Sequence, residues 1–362
     1  MLGLLALGLT SIMVYTLVKN ALLGKQLSKN DQYNGTIELL IPVTATSEVF
    51  LEDWQKNLSA FPFLPDQVKI HVLIDGHHPT LNQWQTLANT IPYLEIHNFP
   101  MRPSHVGPVA WMLDQVAPRI QGNIVIIGDA HLVPTGNAFL SVAKTVAEKG
   151  RSYFIVPQTA KIHFLGEAIS VLNPTLAFAS FFGFKKWRRN VTHPLLGISE
   201  GWMAMTLETF KELSFKSIKV ESWKTAISKQ WDEQNTTYHL AFGEKNLLRF
   251  YPSDVRELFQ KLHDDWGILW IKRDRMGFWL FLVALFLWSF PIVCLLTHPF
   301  WSIASLFLLI LYRFFSKIVF QESWISIALH PVACVAWIGS LIWFVIDLVK
   351  EKNLGRKSRG VN

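Results

Sequence analysis

Two acids in this chain stand where a buried strand runs out. Asp75 follows Val68 to Ile74 (VKIHVLI) and precedes Gly76, and Asp129 follows the apolar run Ile124 to Gly128 inside NIVIIGDAHLVP, residues 123 to 134. In an open α/β sheet, ligands bind outside the carboxyl ends of the strands. A carboxylate there can accept hydrogen bonds from a ligand or hold a cation. Asp129 and His131 together offer an oxygen and an imidazole nitrogen, a pair able to hold a divalent metal and, through it, a diphosphate. Taking a proton from an attacking hydroxyl needs a further acid. Glu221 stands at the start of a helical stretch from Val220 to Gln230, with Asp232 and Glu233 beyond it. Each position also has an ordinary structural use. A strand-end Asp serves a turn, and a first-turn Glu suits the helix dipole.

The elements that must place these residues alternate. Strands are expected over Thr36–Pro42, Val68–Ile74, Leu94–Asn98, the segment after Asn123, and Tyr153–Pro157. Helices are expected over Ser47–Phe61, Leu81–Thr90, Val106–Val116, Asn137–Lys149, Thr206–Leu213 and Val220–Gln230. Strand and helix in alternation, with helix-length crossovers, predict a mostly parallel sheet covered on both faces. Asp254 to His263 has the spacing of an amphipathic helix.

Apolar residues collect at the two ends of the 362-residue chain, in Leu2–Val18 and Met276–Val349, where runs reach the length that spans a bilayer. Charge follows the first run instead of preceding it, which favours an uncleaved anchor. The net charge of +7 is concentrated beside these segments, as in Lys19, Lys25 and Lys29, Lys272, Arg273 and Arg275, and the tail from Lys350. That distribution fits membrane flanks and anionic lipid and argues against nucleic acid as a partner. Cys294 and Cys334 both lie in apolar segments, so no disulfide framework follows. Phe164 to Phe184, followed by Lys185, Lys186, Trp187, Arg188 and Arg189, reads as a stretch lying in the membrane interface. Met276–Thr297 and Ile325–Leu348 read as spans, and Phe300–Tyr312 as a shorter apolar segment that crosses or only dips. Apart from Asp347 these segments carry no charge, which disfavours a transporter.

Taken together the residues resemble the membrane-bound family 2 glycosyltransferases, in particular the type that glycosylates lipids such as carotenoid acids. ELLIPVTATSE stands where that family has a strand ending in Pro and then Ala-Arg-Asn-Glu; VLIDGHH stands at its Val-Asp-Asp-Gly-Ser strand end. IIGDAHLVP stands at its Asp-Ala-Asp metal motif, and Gly201-Trp202-Met203-Ala204-Met205 at its acceptor-side segment. Val106-Gly107-Pro108-Val109-Ala110, Val220-Glu221-Ser222, RFYPSDVRELFQKLHDDWG and the closing GRKSRG match later segments in order.

The resemblance implies a GT-A domain (α/β, Rossmann-like, with a mixed, mostly parallel sheet) over 36–270. It implies an anchor over 1–20, a linker over 21–35, two to three transmembrane helices within 271–349 and a basic tail over 350–362. It implies a UDP-sugar donor, a lipid acceptor and a divalent metal, Mn or Mg. The catalytic domain would lie on the cytoplasmic side of the inner membrane. Asp75, Gly76 and Asp129 would meet the nucleotide, Asp129 and His131 the metal, and Glu221 would be the base. Gly201, Trp202, Trp187 and Arg188 would lie on the acceptor and membrane side.

The chain also departs from the pattern. His131 replaces the second metal-motif acid, Ser222 the catalytic Asp, Thr44-Ala45 the Arg-Asn, and Pro108 a Lys. The alternative is therefore a catalytically degenerate relative acting as a membrane partner or scaffold.

Overall fold

The computed structural model describes residues 2–23, 25–26, 33–44, 49, 51–60, 66–76, 78–99, 106–135, 138–150, 152–156, 158–159, 177, 201–218, 223–234, 236, 238–242, 247–249, 255–271, 275–294, 299–320 and 324–359. The strands in chain order are β1 Lys25–Gln26, β2 Ile37–Val43, β3 Val68–Asp75, β4 Leu94–Phe99, β5 Ile124–Ile127, β6 Leu132–Pro134, β7 Ser152–Val156, β8 Gln158–Thr159, β9 Trp202–Thr206, β10 Tyr238–Phe242 and β11 Leu247–Arg249. The helices are α1 Leu2–Leu23, α2 Leu51–Ser59, α3 Leu81–Ala88, α4 Pro108–Val116, α5 Ala138–Lys149, α6 Leu207–Lys211, α7 Trp223–Glu233, α8 Val255–Ile271, α9 Arg275–Cys294, α10 Pro299–Phe320, α11 Trp324–Ala328 and α12 His330–Arg359.

Eight strands form one mixed, mostly parallel sheet in the order β1-β10-β7-β9-β5-β2-β3-β4. The antiparallel member is β9, which pairs with β5 on one side and β7 on the other. The chain moves outward from β2 to β3 and β4, then returns to place β5 on the other side of β2. That reversal is a topological switch point, where open α/β sheets leave a crevice at the carboxyl ends of their strands. The remaining short strands form a second sheet, β6-β11-β8.

β2 is buried along its whole length, which explains why IELLIPV is apolar without alternation except at Glu38. Its two faces feed different cores. Leu39, Ile41 and Val43 join Ile70, Val72 and Ile74 against Trp54 of α2 and Trp84 of α3. Leu40 joins Leu73, Val125 and Ile127 against Ala110, Met112, Leu113 and Val116 of α4. Each large apolar side chain withdrawn from water contributes roughly 1.5–3 kcal/mol.

The helices of the two chain ends pack together, α1 along α10 and α8 along α12, with α9 between α10 and α12. Leu258, Leu262 and Trp266 recur every four residues on α8 and are buried, as its amphipathic spacing predicts. Trp266 sits among Phe278, Phe281 and Trp337, with ring centroids at 5.5, 5.0 and 5.7 Å, and its indole N–H donates to Ser340 Oγ at 3.0 Å. The outer surface of this bundle is apolar. Ile303, Phe307, Ile310 and Phe314 form an exposed stripe on α10, and Val335, Ile338, Ile342, Val345 and Val349 another on α12. Contiguous exposed apolar surface of this kind is typical of protein or membrane interaction sites.

Residues His330–Lys350, 21 residues with mean hydropathy 2.2, are long and apolar enough to cross a membrane; Leu7–Lys19 and Phe278–Phe290 are shorter apolar stretches. Three expectations change here. The segment read as Phe300–Tyr312 is part of α10, 22 residues long, which spans about 33 Å. Arg313 therefore lies inside a helix and not at its end; it is buried, with Nη1 3.5 Å from Ser316 Oγ, so the apolar bundle holds a charge that the sequence reading set at its edge. The span read as Ile325–Leu348 is two helices, α11 and α12, the second opening at His330–Pro331 where proline suits a first turn. Within the stretch read as a linker, Lys25–Gln26 adds to the sheet edge beside β10.

Candidate functional site

Asp75 and Asp129 flank the switch point. Asp75 closes β3, paired in register with Phe99 of β4, and Asp129 follows β5 by two residues. Gly76 has φ +75, a conformation glycine adopts without the steric cost of a Cβ, and its N–H donates to Phe99 O at 3.2 Å. The turn behind Asp75 is fixed by that bond, and its side chain is left partly open to solvent.

The loop Gly128–His131 is held from several sides. Gly128 N–H donates to Leu40 O at 2.9 Å, Leu132 N–H to Asp129 O at 3.0 Å, and the Trp54 indole N–H to Ala130 O at 2.9 Å. Gly128 is required by close approach, since a Cβ there would meet Trp202 Nε1 at 2.8 Å. Gly201 is required for the same reason, because its Cβ would stand 2.5 Å from Ile155 O and 2.7 Å from the Phe154 ring. This tight seat directs Gly201 N–H to Asp129 Oδ2 at 3.1 Å.

The same oxygen accepts from Lys224 Nζ of α7. Both partners are nearly withdrawn from solvent, the side chains being 6% exposed for Lys224 and 14% for Asp129. The ammonium also lies 5.4 Å from the Trp223 ring centre and 6.0 Å from that of Phe154, within cation–π range. A buried lysine so placed supplies positive charge in a low-dielectric setting, where charge acts at greater strength than in water. Lys224 is the residue of this candidate site that sequence reasoning missed. Charge accounting shows only that a buried acid is costly without a partner and does not say which of the chain's cations that is.

Other sequence candidates are distributed as follows. His131 is partly buried in the same loop as Asp129. Trp202 is fully buried, stacked on Phe139 at 5.7 Å with rings 12° from parallel, so it is a core residue and not an open acceptor surface. Glu233 is exposed and lies nine residues beyond Lys224 on α7, about 13 Å along the axis, which removes it from the Asp129 end of the helix. Glu221, Ser222, Trp187, Arg188 and the interface stretch 164–176 and 178–189 lie outside the described residues.

Lys224 and Gly201 hold Asp129 Oδ2, so a divalent ion shared with His131 would take Oδ1 or displace the ammonium. Asp129 is a member of a carboxylate–ammonium pair, and His131 offers nitrogen where Mg²⁺ prefers oxygen.

No protein-family model matches the chain, and no curated protein matches its sequence. Among solved structures, the chain is similar to a mannosyltransferase from Pyrobaculum calidifontis in complex with GDP-Man and Mn²⁺. The TM-score is 0.46 at 13% identity, covering 96% of this chain and 99% of that one. It is also similar to S. aureus TarS residues 1–349 in complex with UDP-GlcNAc, at TM-score 0.42 and 10% identity, covering 85% and 89%.

Proposed function

We propose that this chain is a membrane-associated glycosyltransferase that moves a sugar from a UDP-sugar to a lipidic hydroxyl or carboxyl presented at the bilayer surface. Its α/β domain would work on the cytoplasmic side of the inner membrane, where nucleotide sugars are made. The observation that carries this reading is the placement of two strand-end acids around the switch point, one of them bonded to a buried lysine.

In the reaction, the acceptor oxygen attacks the anomeric carbon while the bond from that carbon to the diphosphate breaks, and UDP leaves with the bonding electrons. Asp75 and Gly76 meet the nucleotide. Lys224 faces the negative charge that grows on the leaving diphosphate, the placement at which preorganised charge lowers a barrier most. Asp129, itself fixed by the Gly201 N–H, holds that ammonium in position. Glu221, three residues before Lys224 in the chain, takes the acceptor's proton. The exposed apolar faces of α10 and α12 set the domain against lipid. Mn or Mg at Asp129 and His131 is not required by this scheme.

The second reading, a degenerate relative serving as a membrane partner, is favoured by one observation: a serine, Ser222, stands where the resemblance places the catalytic acid. Sugar transfer to a lipid extract by the purified full chain, supplied with UDP-sugars, separates the two. A labelled lipid product lost in Glu221→Gln supports the enzyme. UDP-sugar binding without any product supports the partner reading.

A further inference from the structure

Nearer the amino ends of β2, β3 and β4, four titratable side chains converge from these three neighbouring strands. Glu38 lies on β2, His71 on β3, and Glu95 and His97 on β4, with His71 in register with Glu95 and Leu73 with His97. His71 and Glu38 are buried at 4% and 5% exposure, whereas the Glu95 side chain is 48% exposed on the strand that ends the sheet. Three donor atoms form a triangle. His71 Nδ1 is 3.0 Å from His97 Nε2 and 3.3 Å from Glu95 Oε2, and His97 Nε2 is 3.7 Å from Glu95 Oε2.

Those edges have the size of one face of a tetrahedral metal shell. Bonds of about 2.0–2.1 Å to nitrogen and oxygen, at tetrahedral angles, put neighbouring donors about 3.3–3.4 Å apart. The far side of His71 is also arranged for a ligand. Its Nε2 lies 3.0 Å from Glu38 Oε2, and Glu38 Oε1 accepts from Gln121 N–H at 2.9 Å and Gly122 N–H at 2.6 Å. Gly122 is needed there, since a Cβ would meet Glu38 Cγ at 2.9 Å. Burial works to raise the Glu38 pKa, but the bonds from His71 and the two backbone amides outweigh it and hold the carboxyl below its ordinary value. Glu38 Oε2 stands against Nε2 of His71, while Nδ1 of the same ring faces Glu95 and His97. A carboxylate behind a histidine in this way is the usual support of a metal-bound imidazole. The charge of Arg119 also reaches His97 and opposes a cation there; Glu38 and Glu95 offset it.

We propose that His71 Nδ1, His97 Nε2 and Glu95 Oε2 bind one divalent transition metal ion, Zn²⁺ by ligand type, with the fourth position open to water on the Glu95 side. The ion ties the edge strand β4 to β3 and, through Glu38, to β2. The site is separate from the switch point, since His71 precedes Asp75 by four residues of β3, about 13 Å, and it does not rest on the glycosyl-transfer reading.

The test uses the full chain purified in detergent, stripped with chelator and dialysed against ZnCl₂, with bound zinc counted by mass spectrometry. One zinc per chain at micromolar free Zn²⁺ is expected in the wild type and in Asp129→Asn. Glu95→Gln, a change at a half-exposed position, should lose it, and Glu38→Gln should weaken it by about tenfold or more. Zn²⁺ should also raise the melting temperature of the wild type and leave that of a folded Glu95→Gln/His97→Gln protein unchanged. No retained zinc in the wild type, or equal retention in the folded double variant, overturns the proposal.

Discussion

Lys224 on α7 and Asp129 after β5, 95 residues apart in the chain, meet in a hydrogen-bonded ion pair whose side chains are 6% and 14% exposed. The pair ties α7 to the loop after β5 at the switch point.

Removing one partner strands the other. Lys224→Met should destabilise the folded chain by about 3 kcal/mol, because an uncompensated charge then stays buried. Asp129→Asn with Lys224→Met should cost less than the sum of the two single changes. Denaturant unfolding in a double-mutant cycle measures this, and simple additivity would show that the pair does not couple.

Gly201 is placed by the absence of a side chain. Gly201→Ala puts a Cβ 2.5 Å from Ile155 O, so β9 must shift from β7 and the bond to Asp129 must lengthen. A loss of about 1–3 kcal/mol is expected from overpacking, seen as a lower denaturation midpoint. Gly76→Ala has open space around it and only its φ of +75 to resist it, so it should cost about 1 kcal/mol.

Trp266 joins three helices through aromatic contacts and one hydrogen bond to Ser340. Trp266→Ala should cost about 3–5 kcal/mol, read as thermal aggregation of the detergent-solubilised chain at lower temperature. Ser340→Ala should cost about 1–3 kcal/mol, the loss expected when the buried indole N–H keeps no acceptor.

Much of the sheet was legible because strands buried on both faces are mostly apolar, as β5 is throughout and β2 and β3 are apart from Glu38, Lys69, His71 and the closing Asp75. Pro108, a departure from the family pattern, is explained locally: it opens α4 at the first helical position, where proline is favoured. The antiparallel insertion of β9 was not legible, since Trp202–Thr206 carries no mark of its partners β5 and β7. Arg313 misled in the other direction. A charge after an apolar run reads as the end of a helix, yet α10 continues to Phe320 because the bundle buries that side chain. Asp75, Gly76 and Asp129 could be found from strand ends alone. Lys224 could not, because the long-range contact that gives it meaning is absent from its local sequence.

Divalent ions provide a further check on the charge assignment. With Lys224 facing the diphosphate, UDP binding should persist in chelator within about threefold of its value in Mn²⁺, a difference under 1 kcal/mol. A loss of a hundredfold or more would mean that an ion displaces Lys224 from Asp129.

The central claim, a nucleotide-diphosphate site at the switch point, is tested most directly by calorimetric titration of UDP into the full chain in detergent. The wild type should bind, and Asp75→Ala and Lys224→Met, each confirmed as folded, should both weaken binding by about tenfold or more, about 1.4 kcal/mol. Absence of UDP and UDP-sugar binding in the wild type, with Mn²⁺ or with chelator, would contradict it, as would unchanged affinity in both variants.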